Sequence, residues 1–142
     1  MRNFNQGPII YVEDDIDDRG LFGEVLKSLE VSNEILYFEN GKLFLNYITQ
    51  AKVQPLLIVC DINMPVMNGL ELRKAIMADE RLRKKAIPFI FYTTSINTHE
   101  INLAYDLTVQ GYFKKSADLT KMSSDLKMII DYWCVCQHPN KS

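Results

Sequence analysis

The sequence predicts an α/β fold in which a parallel sheet carries helices on both faces. Residues 56–60 form an apolar run without polar alternation, which is typical of a strand buried on both faces. Other short apolar runs alternate along the chain with segments whose apolar residues recur at helical spacing. Strict alternation of five strands with five helices implies parallel strands joined by right-handed crossovers.

The first strand and the first helix are separated by a strongly acidic segment. Residues 9–12 are apolar and predict the strand, and residues 13–18 then place five carboxylates in six positions. Part of this segment would cap the following helix and complement its positive N-terminus. The helix is indicated by an apolar face at i, i+3, i+4 and i+7, formed by Phe22, Val25, Leu26 and Leu29.

The second and third strands are each followed by an amphipathic segment. Residues 34–38 predict the second strand, and the next helix has an apolar face of Leu43, Phe44, Tyr47 and Ile48. The third strand is the run over residues 56–60, and Asp61 is the first polar side chain at its end. A helix is expected after Asn68-Gly69. Its inward side chains would be Leu72 and Ile76, and its outward side chains would be Arg73, Lys74, Asp79 and Glu80.

The last two strands also end in polar groups. Residues 88–92 predict the fourth strand, which leads into Thr93, and the charged residues 81–85 before it are interpreted as a solvated connection. After a short helix, residues 109–113 predict the fifth strand, which leads into Lys115. The closing helix has the clearest periodicity, with Leu119, Met122, Leu126, Ile129, Ile130 and Trp133 at helical spacing.

Composition limits the class of protein. The chain of 142 residues fits one domain, and its 47% apolar and 24% charged content is that of a globular protein. It has neither a membrane-spanning apolar run nor a secretory signal, so a cytoplasmic location is expected. Three cysteines, an odd number, indicate reduced thiols, and a net charge of −2 gives no reason to expect binding to nucleic acid or to a membrane.

The polar residues at the strand ends suggest phosphoryl chemistry. Because these ends meet in one crevice of an open sheet, Glu13, Asp14 and Asp61 would crowd three carboxylates together, and such a cluster suits Mg²⁺. Thr93 can donate a hydrogen bond to a phosphoryl oxygen, and Lys115 can supply positive charge. Asp61 would then be the nucleophile that forms an aspartyl phosphate. The alternative for Asp61 alone is a carboxylate that only caps the next turn.

Taken together and in order, these motifs resemble the receiver domain of two-component response regulators over essentially the full chain. The matching residues are the Glu13-Asp14 pair, residues 61–69, Thr93 with the small Thr94, and Tyr112 three positions before Lys115. The resemblance implies a flavodoxin-like (βα)5 sheet of order 2-1-3-4-5. It places the domain at residues 5–136, with a short tail at residues 137–142 and no effector domain.

The resemblance also implies the roles of the site residues. Asp61 would accept phosphate from a phosphohistidine of a sensor histidine kinase, with Thr93 and Lys115 assisting. Mg²⁺ would be bound by Glu13, Asp14, Asp61 and the backbone carbonyl of Asn63. Thr93 and Tyr112 would form the switch that alters a protein-binding surface, and the protein would catalyse only its own phosphotransfer and dephosphorylation.

Some features depart from the family pattern or narrow the match. Ser116 stands where the family usually has proline, so the family's cis bond after the lysine is in doubt, and Glu13 replaces a commoner aspartate. Residues 115–119 and the late Tyr132-Trp133 pair most resemble the stand-alone regulators that serve bacterial phytochromes. The aromatic pair would either fold back on its own domain or anchor a homodimer, which is the expectation here.

Two alternatives from other functional classes are kept open. A small phosphatase could work through the same aspartyl phosphate, but it would need an acid two residues after Asp61. The chain has Asn63 at that position, and an amide cannot transfer a proton in this way. A flavin-binding protein of the same fold is a weaker alternative.

Overall fold

The computed structural model of the protein describes residues 7–139 and contains one parallel five-stranded sheet with helices on both faces. The strand order is β2-β1-β3-β4-β5, as the family resemblance implies. The strands are β1 (Ile9–Val12), β2 (Ile35–Phe38), β3 (Leu57–Cys60), β4 (Phe89–Thr93) and β5 (Gly111–Lys114). The helices are α1 (Ile16–Ser28), α2 (Gly41–Gln50), α3 (Gly69–Ala78), α4 (Glu80–Lys84), α5 (Thr98–Asp106) and α6 (Leu119–Val135).

Two apolar layers cover the sheet, which explains the continuous apolar runs in its central strands. Ile10 and Val12 of β1 face a layer built with α2, α3 and α5, whereas Ile9 and Tyr11 face a layer built with α1 and α6. The strands β1, β3 and β4 are buried along their whole length. Because both faces are covered, a polar side chain at any position of these strands would be buried, which is unfavourable unless it finds a hydrogen-bond partner.

Three details differ from the sequence-based expectations. Residues 80–84 are the helix α4 rather than a solvated connection, because the side chain of Asp79 caps it and Leu82 is buried. Arg73 was expected to point outward but is only 5% exposed. Leu119 was expected in the core, yet as the first residue of α6 it is 54% exposed.

The limits of the domain remain a prediction. Residues 5 and 6 of the expected domain and residues 140–142 of the expected tail lie outside the described residues. Within residues 7–139, no helix combines the length and the apolar content needed to cross a bilayer.

Candidate functional site

A cluster of three carboxylates lies at the carboxyl ends of β1 and β3. These strands are neighbours, and Val12 is paired with Cys60, so the residues that follow them, Glu13 and Asp61, emerge side by side. Together with Asp14, they place one carboxylate oxygen each within 4.8 Å of the others. The convergence that the strand ends predicted is therefore present.

Asp61 is held by the backbone on one side and faces a cation on the other. Its backbone N–H donates to the Val12 carbonyl at 3.0 Å, and its Oδ1 accepts from the Ile62 N–H at 2.7 Å. Its Oδ2 lies 3.3 Å from Nζ of Lys115, and the residue as a whole is only 8% exposed. The bond to Ile62 joins adjacent residues, so it is not the bond to the N–H two residues on that defines a turn-capping aspartate.

Close packing of α3 against the end of β3 shapes the loop around Asp61. The Gly69 N–H donates to the Ile62 carbonyl at 2.9 Å. A Cβ atom at Gly69 would lie 2.2 Å from the Asp61 carbonyl oxygen, so only glycine fits there. The helix starts at this point because Asn68 and Glu71 form a reciprocal capping box.

Lys115 joins three carboxylates. Its Nζ contacts Glu13 Oε1, lies 2.8 Å from Asp18 Oδ2, and lies 3.3 Å from Asp61 Oδ2. Burial would lower the pKa of Lys115, but hydrogen bonds to Asp18 and Glu13 outweigh burial and leave the pKa raised. The lysine is therefore protonated and partly neutralises the cluster. No cis peptide bond occurs within residues 7–139, the bond after Lys115 included.

Glu13 is the most deeply buried acid of the cluster, with 1% exposure. Burial raises the pKa of its carboxyl to about 7, against the opposing effect of the Lys115 hydrogen bond. Its Oε2 accepts from the Asp15 N–H at 3.1 Å, and the Tyr11 hydroxyl lies 3.5 Å from Oε1. Desolvation is thus a larger cause of the raised pKa than repulsion from Asp61.

The donor set at this cluster fits a hard divalent cation. All three candidate ligands within the described residues are carboxylates, without histidine or cysteine, and oxygen-only sites suit Mg²⁺, Ca²⁺ and Mn²⁺. Asp14 is exposed and can reach a hydrated ion. Asn63 also lies in the exposed loop after β3, and the contribution of its backbone carbonyl remains a prediction.

Thr93 and Tyr112 meet the same residue, Ser95, in the loop after β4. Thr93 is fully buried at the end of β4, and its Oγ1 accepts from the Ser95 N–H at 3.3 Å. The Tyr112 hydroxyl donates to the Ser95 carbonyl at 2.7 Å, and its ring packs 5.9 Å from that of Phe91. A movement of Thr93 would therefore displace Ser95, the residue to which Tyr112 is hydrogen-bonded.

Asp18 belongs to the site although the sequence reasoning assigned it only to a helix start. It lies in the first turn of α1, and its side chain is 36% exposed while contacting Lys115. The available signal was the surplus of acids in residues 13–18, since Asp15 alone caps α1 through its side chain. Asp18 is therefore not needed as the cap and can contact Lys115 instead.

Known proteins share both the sequence pattern and the fold. The family model of the response regulator receiver domain matches residues 9–127. The response regulator Rcp1 of Synechocystis sp. is 29% identical over 130 residues, which is 88% of this chain and 87% of the relative.

Two solved structures of similar chains cover almost the whole length. The phosphorylated cyanobacterial phytochrome response regulator RcpA superposes with a TM-score of 0.86 at 31% identity, covering 95% of this chain and 99% of that one. The Mn²⁺-bound form of Rcp1 gives a TM-score of 0.81 at 28% identity, covering 94% of this chain and 99% of that one.

Proposed function

The chain belongs to the response regulator receiver domain family of two-component signalling, and we propose that Asp61 is its phosphoacceptor, supplied by the phosphohistidine of a sensor histidine kinase. The observation that supports this assignment is the position of Asp61. It follows β3 directly, with its Oδ2 3.3 Å from Lys115 Nζ and with Glu13 and Asp14 beside it. Receiver domains are signalling proteins, so the output is a change in protein contacts rather than a released product.

Phosphotransfer needs a nucleophile, charge neutralisation and a route for the leaving group. A carboxylate oxygen of Asp61 attacks the phosphorus, the phosphorus–nitrogen bond breaks, and the imidazole leaves with its electron pair. Lys115 can exchange one of its carboxylate partners for a phosphoryl oxygen, and the Thr93 hydroxyl can donate to another. Both groups would stabilise negative charge that is absent before the reaction.

The acidic cluster and the metal-bound relative support binding of a divalent cation, and Mg²⁺ is the cation proposed here. Its ligands would be Glu13, Asp14, Asp61 and the Asn63 backbone carbonyl. Bound there, the ion would supply positive charge to the oxygens of the transferred phosphoryl group. The oxygen-only donor set and the partial exposure of the cluster suit an ion that keeps several water ligands.

The signal would be a shift between two arrangements of the loop after β4. A phosphoryl group on Asp61 would attract the Thr93 hydroxyl, which now accepts a bond from the Ser95 N–H. Ser95 also accepts from Tyr112 through its carbonyl, so the aromatic side chain would respond. The shift is limited by how much more favourably one arrangement holds the phosphoryl group than the other.

A phytochrome-type histidine kinase is the proposed phosphodonor, and self-association is a proposed output. The first proposal rests on the similarity to RcpA, a phytochrome response regulator. The second rests on large apolar side chains left exposed on α5 and α6, namely Leu103, Tyr105, Met128, Tyr132 and Val135. Trp133 is half-buried against the core, so Tyr132, at 60% exposure, is the better candidate for an interface anchor.

Intact-mass analysis after treatment with acetyl phosphate and Mg²⁺ tests the phosphoacceptor. The parent chain should gain one phosphoryl mass, and Asp61→Asn should gain none. Asp17→Asn, which removes an exposed acid of α1, is the matched control and should be phosphorylated like the parent. If Asp61→Asn still gains the phosphoryl mass, the assignment is wrong.

A further inference from the structure

A cavity of about 220 Å³ lies at the opposite end of the sheet from Asp61. It opens beside the amino-terminal ends of β3, β4 and β5, between α3 and α4. Its walls are largely apolar and include Ile58, Ile76, Leu82 and Ile87. The polar groups at the cavity come from Arg73, Arg83, Thr108 and Gln110, and no carboxylate lines it within the described residues.

Arg73 is a buried cation without an acidic partner in the part of the chain that the structure describes. The residue is 5% exposed, and its Nε donates to the Leu107 carbonyl at 2.9 Å. Nη2 donates to the Thr108 carbonyl at 3.0 Å and contacts the Thr108 hydroxyl oxygen at 3.3 Å. Among residues 7–139, Nη1 makes no hydrogen bond, and no ion pair forms with the guanidinium group.

Carbonyl oxygens and an aromatic ring surround the Arg73 guanidinium, and no carboxylate pairs with it within residues 7–139. Its guanidinium carbon lies 5.2 Å from the centre of the Phe89 ring, and burial lowers the pKa of the side chain to about 10. Buried charges in proteins are normally paired, because desolvating an unpaired charge is unfavourable. The two carbonyls at the end of α5 use only part of the five-donor fork of an arginine.

A purely structural role explains the contacts with α5 but leaves the cavity unexplained. Closing the carboxyl end of α5 needs hydrogen-bond donors, which an uncharged side chain could also supply. The second cation, Arg83, is exposed and donates to the Met77 carbonyl at 3.0 Å at the edge of the same cavity. The two cations and the unused Nη1 donor of Arg73 suit an anionic group, and the apolar walls suit an apolar one.

From these contacts we propose that the cavity binds a small molecule in which a carboxylate is joined to an apolar body. The carboxylate pairs with the free edge of Arg73, and the apolar body lies against Ile76, Leu82 and Ile87. The cavity is smaller than the ~300–1,000 Å³ typical of drug-sized ligands, so the ligand is a short monocarboxylate.

A titration with hexanoate followed by ¹⁵N–¹H correlation spectra tests the site directly. Saturable shifts should be confined to residues around the cavity, such as Met77, Ile87 and Gln110. Hexanol, which lacks the charge, and inorganic phosphate, which lacks the apolar body, are the comparison ligands. Each should bind at least about tenfold more weakly than hexanoate, because hexanol cannot form the ion pair with Arg73 and phosphate cannot contact the apolar walls.

Two variants and one control separate binding from folding. Arg73→Met removes the charge at similar volume and should weaken hexanoate binding about tenfold or more, the scale expected for losing a charge-assisted hydrogen bond. Met77→Trp keeps Arg73 but fills the cavity, so it should abolish the shifts even if Arg73→Met fails to fold. Lys74→Met makes the same chemical change at the neighbouring exposed position of α3 and should bind like the parent.

Three results would overturn the proposal. The first is the absence of saturable shifts with hexanoate in the folded parent chain. The second is equal binding of hexanoate and hexanol, which would mean that Arg73 does not recognise charge. The third is unchanged binding in Met77→Trp, which would place the ligand elsewhere on the protein.

Discussion

Lys115 is the residue whose contacts decide the charge balance of the site. It is shared between Glu13, Asp18 and Asp61, so the proposed phosphoryl group on Asp61 would have to compete for it with two other acids. The competition with Asp18 is particular to this geometry, because Asp18 reaches the lysine from the first turn of α1. The contacts of Lys115 before phosphorylation would therefore influence how strongly the phosphorylated state is favoured.

Replacing Asp18 by asparagine should favour the phosphorylated state. Lys115 would lose one competing partner, and affinity for the phosphoryl analogue beryllofluoride should rise about threefold, as expected for a partly exposed ion pair. Fluorescence or calorimetric titration measures the change, with Asp17→Asn as the matched control. An unchanged or lower affinity in Asp18→Asn would show that Asp18 does not restrain the lysine.

Glu13 makes stability depend on pH when no metal is bound. Its pKa is raised by burial from 4.5 to about 7 in the folded chain, so between these values the folded chain binds more protons than the unfolded chain. The Glu13 contribution to the free energy of unfolding is therefore full below pH 4.5 and is lost as pH rises through about 7.

Denaturant unfolding in chelator at several pH values between 5 and 8 measures this dependence. The parent chain should lose stability with rising pH across that interval, and Glu13→Gln should show a flatter profile. Equal slopes in the parent and in Glu13→Gln would contradict the assignment to Glu13. Mg²⁺ should reverse the loss in the parent, because binding to the deprotonated cluster stabilises the folded chain.

At the level of elements, the loop between β3 and α3 carries backbone strain next to Asp61, the proposed phosphoacceptor. Val66 has φ of 69°, in the left-handed region, although it is β-branched and 80% exposed. Its neighbours are fixed at both ends, by Asp61 at the end of β3 and by the Asn68 capping box of α3. The loop therefore has little freedom to relieve the strain.

Val66→Gly should stabilise the folded chain by about 1 kcal/mol. Glycine removes the left-handed strain of ~1–3 kcal/mol, and the greater entropy of its unfolded chain offsets part of the gain. Thermal unfolding measures the change, and Lys52→Gly is the control, because this exposed loop residue does not have a positive φ. The control should lower Tm; a lower Tm in Val66→Gly as well would mean that the left-handed conformation costs Val66 little.

At the level of the whole molecule, the exposed apolar side chains of α5 and α6 bear on assembly. Tyr132 stacks edge-on with Trp133 at 4.9 Å, and Trp133 continues into the core layer formed with α1 and α6. Of the aromatic pair, Trp133 therefore packs back on its own domain, whereas Tyr132 is exposed to solvent. An exposed aromatic side chain beside other apolar residues is suited to the centre of an interface.

The chain should form a homodimer that depends on Tyr132. Sedimentation at several concentrations should show a dimer whose dissociation constant rises about tenfold in Tyr132→Ala, the effect of removing an interface anchor. Lys121→Ala, an exposed change on the same helix, should leave the dimer intact. A monomer at every concentration, with and without beryllofluoride, would rule the dimer out.

The sequence by itself determined the sheet, most of the helices and the convergence of polar residues at one edge of the sheet. Apolar runs of strand length identify β1, β3 and β4 because both faces of these strands are buried. Residues directly after those runs must converge, because parallel strands end at one edge of the sheet. Glu13, Asp61, Thr93 and Lys115 could therefore be placed together from their sequence positions alone.

Only the tertiary structure decided which side chains those residues contact and which polar groups are buried. The sequence assigned Asp18 only to a helix start, and helical periodicity placed Arg73 on an outward face, where charged residues are normally solvated. Whether a long side chain turns inward depends on the space left by neighbouring elements and on partners that are distant in sequence. Lys115 provides that partner for Asp18, and the end of α5 with the Phe89 ring provides it for Arg73.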